Sequence, residues 1–235
     1  MKWDKDGDIL ALTNDKTTAV TLWEIGTKKT ELLDANMGSK LRISDSYRES
    51  PTFMAWSHKS PILAVGNNKG NLMIYNHRTS RKVPVLSKHQ RAITCGAFSD
   101  EDLLALGADD TSITVSNMDG DSVYSFTCNS DPSLLQFSNL RHPVEKPLKS
   151  DPMLSAILGK KIMMLVNLND SENPINLQFQ ARYGDIVSYV WFSDGYLLIG
   201  FDKGFVVCIS AHASEIGQVI VSTEYSITSH SITSY

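Results

Sequence analysis

The sequence lacks most of the features that announce chemistry. No apolar run approaches the ~20 residues of a membrane-spanning helix; Ile162 to Val166 is among the longest. Met1-Lys2-Trp3-Asp4-Lys5-Asp6 contains no apolar stretch of the kind a secretory signal needs. The three cysteines, Cys95, Cys128 and Cys208, are far apart and form no C-x-x-C, a pattern that fits reduced, buried thiols better than disulfide bridges or a zinc site. The six histidines show neither H-x-x-x-H nor H-E-x-x-H spacing. There is no phosphate-cradling G-x-x-x-x-G-K-[ST] or G-x-G-x-x-G, and no G-x-S-x-G elbow for a nucleophile. Helical periodicity of useful length is also missing. The expectation is that no catalytic, cofactor-binding or metal site is present and that the protein is not an enzyme.

What is present is ordinary globular material, with 42% apolar and 20% charged residues in 235 positions. The net charge of −4 argues against a nucleic-acid binder. The charge is unevenly spread. Residues 50 to 99 hold seven Lys/Arg (Lys59, Lys69, Arg78, Arg81, Lys82, Lys88 and Arg91) and no acid, whereas Asp100 to Asp121 holds seven acids. Two readings follow. Either the neighbouring segments compensate each other, or the basic stretch 69–91 offers a face to an acidic protein or to anionic lipid headgroups.

One unit recurs along the chain. An aromatic residue closes a short apolar strand, a polar turn follows, and an apolar pair lies six to eight positions on. A second turn rich in Gly, Asn or Asp then leads into an alternating strand. The copies start at Trp3, Trp56, Phe98 and Trp191, and a weaker one at Phe137. In the second copy Trp56 is followed by Ser60-Pro61, Leu63-Ala64, Asn68-Lys69-Gly70 and Leu72 to Tyr75. Such turn residues either tolerate positive φ or preset a turn, and the alternation gives strands with two different faces. The opening aromatics, recurring in register, read as core. Asp4-x-Asp6-Gly7-Asp8 superficially resembles a calcium loop, but Gly7 is fourth and Asp15 twelfth, where an EF-hand needs Gly at 6 and Glu at 12; a turn is the better reading.

Four short strands per ~40–50 residues match one blade of a β-propeller, which must stack on its neighbours to bury both faces. The expected fold is therefore all-β: a partial β-propeller of about five blades, with units at roughly 1–37, 52–87, 88–128, 129–180 and 181–222. Loops are expected at about 38–51 and 141–152, the second broken by Pro143, Pro147 and Pro152. Five units can close a ring only if the strand missing before Trp3 comes from the other end. The tail Tyr225 to Tyr235, with Ser-Ile-Thr-Ser twice, is the candidate for that; the favoured expectation is an incomplete ring belonging to a larger propeller.

The units resemble WD repeats. Trp23-Glu24 stands where the family has its terminal Trp-Asp, and Tyr75-Asn76 is a degenerate version. Lys88-His89 resembles the Gly-His that opens a repeat, with Asp109-Asp110 in the turn that faces it and Ser116 in place of the Trp. The resemblance implies that His89 is a structural histidine paired with Asp109 or Asp110. A narrower resemblance lies in Lys69-Gly70-Asn71-Leu72-Met73-Ile74-Tyr75-Asn76-His77-Arg78-Thr79-Ser80-Arg81-Lys82 and its continuation to Ile93-Thr94-Cys95-Gly96. With Leu103 to Gly107, Ile113 to Asn117 and Leu158 to Lys161, it is similar to the first propeller of the large WD-repeat subunit of intraflagellar transport complex A.

That resemblance implies a non-enzymatic scaffold at the cilium and ciliary base, on the cytoplasmic side. The protein would support retrograde ciliary transport and entry of membrane proteins, with the other complex A subunits and ciliary cargo as partners. A vesicle-coat-like adaptor that binds cargo tails shares every physical feature and is the alternative. An enzyme using a propeller as platform would instead gather polar groups at a central channel.

Overall fold

The computed structural model describes residues 1–14, 17–34, 49–141, 150–212 and 215–224. The candidate tail Tyr225 to Tyr235, Asp15 and most of the two expected loops lie outside the described residues. Among the described residues twenty strands form five four-stranded sheets, each following chain order from its first strand to its last.

Sheet 1 contains β1 (Lys2–Trp3), β2 (Ile9–Leu12), β3 (Ala19–Glu24) and β4 (Thr30–Asp34). Sheet 2 contains β5 (Pro51–Trp56), β6 (Ile62–Asn67), β7 (Leu72–Asn76) and β8 (Arg81–Val85). Sheet 3 contains β9 (Ile93–Phe98), β10 (Leu104–Ala108), β11 (Ser112–Ser116) and β12 (Ser122–Thr127). Sheet 4 contains β13 (Pro132–Arg141), β14 (Ser150–Leu158), β15 (Ile162–Asn167) and β16 (Ile175–Gln178). Sheet 5 contains β17 (Ile186–Phe192), β18 (Tyr196–Phe201), β19 (Phe205–Ser210) and β20 (Val219–Glu224). The helical residues described are two single 3-10 turns, Leu168–Asp170 and Ala181–Tyr183.

The chain divides into two compact units, residues 1–136 and 137–235. In the first, the two faces of sheet 2 have different jobs, because alternate side chains on a strand point to opposite sides. Leu63, Val65, Met73 and Tyr75 pack with Ile9, Ala11, Val20 and Leu22 of sheet 1. Ile62, Ala64, Leu72 and Ile74 pack with Ile93, Phe98, Leu104 and Leu106 of sheet 3. Every residue of β6 is consequently buried, which is why Ile-Leu-Ala-Val reads as a continuous apolar run where a half-exposed strand would alternate. In the second unit Met163 and Leu165 of sheet 4 pack with Tyr189, Leu197, Ile199 and Val207 of sheet 5.

The expected all-β architecture of five blade-like sheets is what the chain forms, and three local expectations need correction. Trp56 and Phe98 are core, but Trp3 is 46% exposed and lies beside Trp23; Phe137 and Trp191 are only half-buried. Arg141, Ser150, Asp151 and Pro152 belong to strands and not to a loop. Pro152 is tolerated because the pairing of β14 with β15 begins one residue later, at Met153. Glu49, expected in a solvated loop, is buried and accepts hydrogen bonds from Asn67 Nδ2 (2.7 Å) and Asn71 Nδ2 (3.2 Å). Asp4 to Asp8 is a turn: Asp4 Oδ1 accepts from the backbone N–H of Asp8 (2.9 Å) and Ile9 (3.0 Å).

Candidate interaction surface

Among the described residues no three His, Cys, Asp or Glu side chains gather as metal donors. The groups that do converge lie along the seam between sheets 2 and 3, where the basic segment meets the acidic one. His89 sits in the loop between β8 and β9, its side chain fully buried. Its Nδ1 faces Ser112 Oγ (2.9 Å) and the Asp110 carboxylate (3.3 Å), and its Nε2 faces Thr114 Oγ1 (3.0 Å). A carboxylate only accepts, so the proton belongs on Nδ1, and the Thr114 hydroxyl donates to Nε2. Burial pushes the His89 pKa down, and Asp110 opposes that without cancelling it. The neutral ring thus has both nitrogens satisfied. Asp110 also accepts from the backbone N–H of Gln90 (2.7 Å) and of Ser112 (3.1 Å). Burial raises its pKa, but these bonds, that of the Ser112 hydroxyl and the nearby His89 outweigh it and leave the carboxyl below its usual range.

Of the two adjacent aspartates it is Asp110, and not Asp109, that takes this role. Asp110 accepts from the backbone two residues on, an arrangement that turns its carboxylate back over the β10–β11 turn. Ser116, where the repeat family has Trp, is fully buried at the end of β11, and its hydroxyl has no partner among the described residues. A buried hydroxyl without a bond is a net cost. Ser116→Ala is expected to leave thermal stability unchanged or raise it by up to ~1 kcal/mol, read from denaturant unfolding.

A second set of seam contacts involves the charged residues. Lys88 Nζ donates to Gly120 O (2.9 Å) and Ser122 Oγ (2.7 Å). Burial lowers its pKa, and Asp121 partly offsets that. Arg81 lies 3.8 Å from Asp119, an exposed pair of little energetic weight. Asp102 accepts from Ser57 Oγ and Ser60 Oγ, both at 2.5 Å, tying the β9–β10 turn to the β5–β6 turn of the preceding sheet. Sequence reading missed this clamp, since the partners lie 42 and 45 positions apart. Asp102→Ala removes both acceptors and leaves the buried Ser57 hydroxyl with fewer partners. The expected loss is about 2 kcal/mol, measurable as a lower denaturant midpoint.

The charge segregation seen in the sequence is therefore compensation in part: Lys88 is engaged with the acidic stretch of sheet 3, and Arg81 faces Asp119 across an exposed, weak pair. The remaining basic residues do not form one face. The β5–β6 and β7–β8 turns, bearing Lys59 and Arg78, leave one end of sheet 2. The β6–β7 turn, bearing Lys69, and the loop to β9, bearing Arg91, leave the other.

A family model described as WDR19 first beta-propeller matches residues 1–234. The chain belongs to that family. WD repeat-containing protein 19 of Mus musculus is 46% identical over 94% of this chain, and that of Homo sapiens 45% over the same share. WD repeat-containing protein dyf-2 of Caenorhabditis elegans is 40% identical, also over 94%. The chain spans only 15–16% of the length of these relatives. Among solved structures, a chain of the mitotic checkpoint complex superposes with a TM-score of 0.68 at 15% identity, covering 94% of this chain and 62% of that one. The computationally designed Ika8 protein superposes with a TM-score of 0.67 at 19% identity, covering 92% and 58%. At such identities these two similarities show the fold alone: an all-β propeller, here in part. The His89–Asp110 set is one polar network of this chain, and Ser116 stands where a WD repeat has Trp.

Proposed function

We propose that the chain is a propeller portion of a non-enzymatic scaffold of intraflagellar transport complex A, supporting retrograde ciliary transport and the entry of membrane proteins into cilia. The observation that carries this reading is 40–46% identity along nearly the whole chain to WD repeat-containing protein 19 and dyf-2. The physical arrangement is compatible with it. Polar groups at the seam between sheets 2 and 3 are consumed by one another, so what the sheets offer to other molecules is turns and edges on a packed frame. Its place of action would be the cilium and ciliary base, on the cytoplasmic side, with other complex A subunits and ciliary cargo as partners.

Affinity purification of the full-length protein from ciliated cells tests the proposal. Co-recovery of the other complex A subunits is the expected result. Recovery of vesicle-coat components in their place would overturn it and favour a coat-like adaptor that binds cargo tails. A membrane contact through the basic segment 69–91 has weaker support, because Lys88 is held by sheet 3 and Lys69 and Arg78 leave opposite ends of sheet 2. No described helix is long and apolar enough to cross a membrane.

A further inference from the structure

Three connections run side by side at one end of the second unit: the β14–β15 turn (159–161), the loop from β16 to β17 (179–185) and the β18–β19 turn (202–204). The sequence places four cations in them, Lys160, Lys161, Arg182 and Lys203, and all four residues are exposed. Sheets of a propeller pack face to face, so turns at strand ends stand outside the stack. Backbone bonds hold the three connections together. Lys160 O accepts from Ile186 N–H (2.7 Å), Asp185 O from Asp202 N–H (2.9 Å) and Asp202 Oδ1 from Asp185 N–H (2.8 Å). A Cβ at Gly184 would lie 2.9 Å from Lys203 Cγ, so the loop rests on the stem of that lysine.

Two carboxylates, Asp185 and Asp202, stand among the cations, and both are occupied. Asp202 is bonded to the backbone of Asp185. Asp185 pairs with Lys161, whose hydrogen bond, reinforced by the charges of Lys160 and Lys203, holds its carboxyl below the usual range. Lys160, Arg182 and Lys203 form no ion pair among the described residues. Arg182 is nevertheless placed. Its guanidinium lies 5.1 Å from the centre of the Tyr183 ring and 5.9 Å from that of Phe205, and Nη2 donates to Tyr183 Oη (3.3 Å). A guanidinium held over rings keeps further N–H donors for an incoming carboxylate, with less side-chain freedom to lose.

We propose that this end of the second unit, through Lys160, Lys161, Arg182 and Lys203, binds an acidic peptide segment of a partner protein. Peptide carboxylates spaced along an extended chain can reach the cations singly and pass between Asp185 and Asp202. A flat layer of anionic headgroups would meet both acids at once, and membrane attraction generally draws on a denser basic cluster. The site is independent of which assembly the chain joins, since it needs only complementary charge.

Fluorescence anisotropy of a labelled peptide of alternating Glu and Gly, titrated with purified full-length protein at low ionic strength, tests this. Binding is expected, and it should weaken about tenfold when salt is raised from roughly 50 to 300 mM. Lys160→Glu combined with Lys203→Glu should weaken it by about tenfold at low salt, whereas Lys59→Glu, in the first unit, should leave it unchanged. Asp185→Asn removes the carboxylate that competes for Lys161 and should tighten binding severalfold, a gain that a merely structural role for the lysines would not produce. Circular dichroism confirms that each variant is folded. Absence of peptide binding would overturn the proposal, as would wild-type affinity in the double variant or no gain in Asp185→Asn. Flotation with vesicles containing phosphatidylserine is the second arm: capture by vesicles with no binding of the peptide would replace the peptide with a membrane surface.

Discussion

Replacing Gly70 by alanine is expected to destabilise the first unit by about 4 kcal/mol, lowering the thermal midpoint by roughly 10–15 °C. Gly70 closes the turn between β6 and β7 with φ +78, a conformation that costs an L-residue about 1–2 kcal/mol. The larger part comes from space. A Cβ at this position would lie 2.0 Å from the carbonyl oxygen of His89 and 2.8 Å from that of Arg91. Backbone atoms cannot yield as a flexible side chain can. The loop carrying His89 must therefore move, and the bond from His89 N–H to Gly70 O (3.0 Å) moves with it. Gly70→Asn separates the two terms. Asparagine tolerates the left-handed region but brings the same Cβ, so a loss close to that of alanine identifies crowding as the cause. A midpoint within a degree or two of wild type for either variant would refute this account.

His89→Leu is expected to cost about 3 kcal/mol, because it leaves the Thr114 hydroxyl and part of the Asp110 carboxylate buried without their partner. The substitution should also change the pH dependence of stability. Burial holds the folded pKa of His89 below its ordinary value of 6.5, so between those two values the unfolded chain binds more protons than the folded one. Stability is therefore complete above about 6.5 and falls as the solution is acidified toward the lower folded pKa. Asp110 acts in a separate, more acidic window. Its folded pKa is lowered from 3.8, so its contribution is present above that value and lost as pH falls through the folded one. Thermal melts between pH 5 and 7.5 should show a slope in the wild-type chain that is smaller in His89→Leu. An equal slope in both would show that another group carries the dependence.

Particular residues show how far pattern alone reaches. Asn68-Lys69-Gly70 favours a turn by local sterics, and Leu72 to Tyr75 after it reads as a strand, both without any knowledge of neighbours; that this strand is buried on both sides came from the packing of sheets 1 and 3. The pairing of His89 with an aspartate was also legible, through the resemblance of Lys88-His89 and Asp109-Asp110 to the paired positions of a WD repeat. Which aspartate was not legible: Asp109 and Asp110 are adjacent and chemically identical, and only the orientation of the turn distinguishes them. Glu49, the Asp102 clamp and the exposed Trp3 were missed for a related reason. Burial of Glu49 depends on Asn67 and Asn71, and exposure of Trp3 depends on how its strand is packed, neither of which is a property of the neighbouring residues in sequence.

The order of the elements, their all-β character and the repeat of four strands per unit were determined by the sequence by itself. Alternation and turn chemistry act over two to five residues, and those forces are written into local composition. The tertiary structure alone decided which side chains of a strand are covered and which charge meets which. Hydrophobic burial and charge pairing depend on distances between segments that lie 40 or more residues apart, as Ser57 and Asp102 do, and no local pattern encodes them.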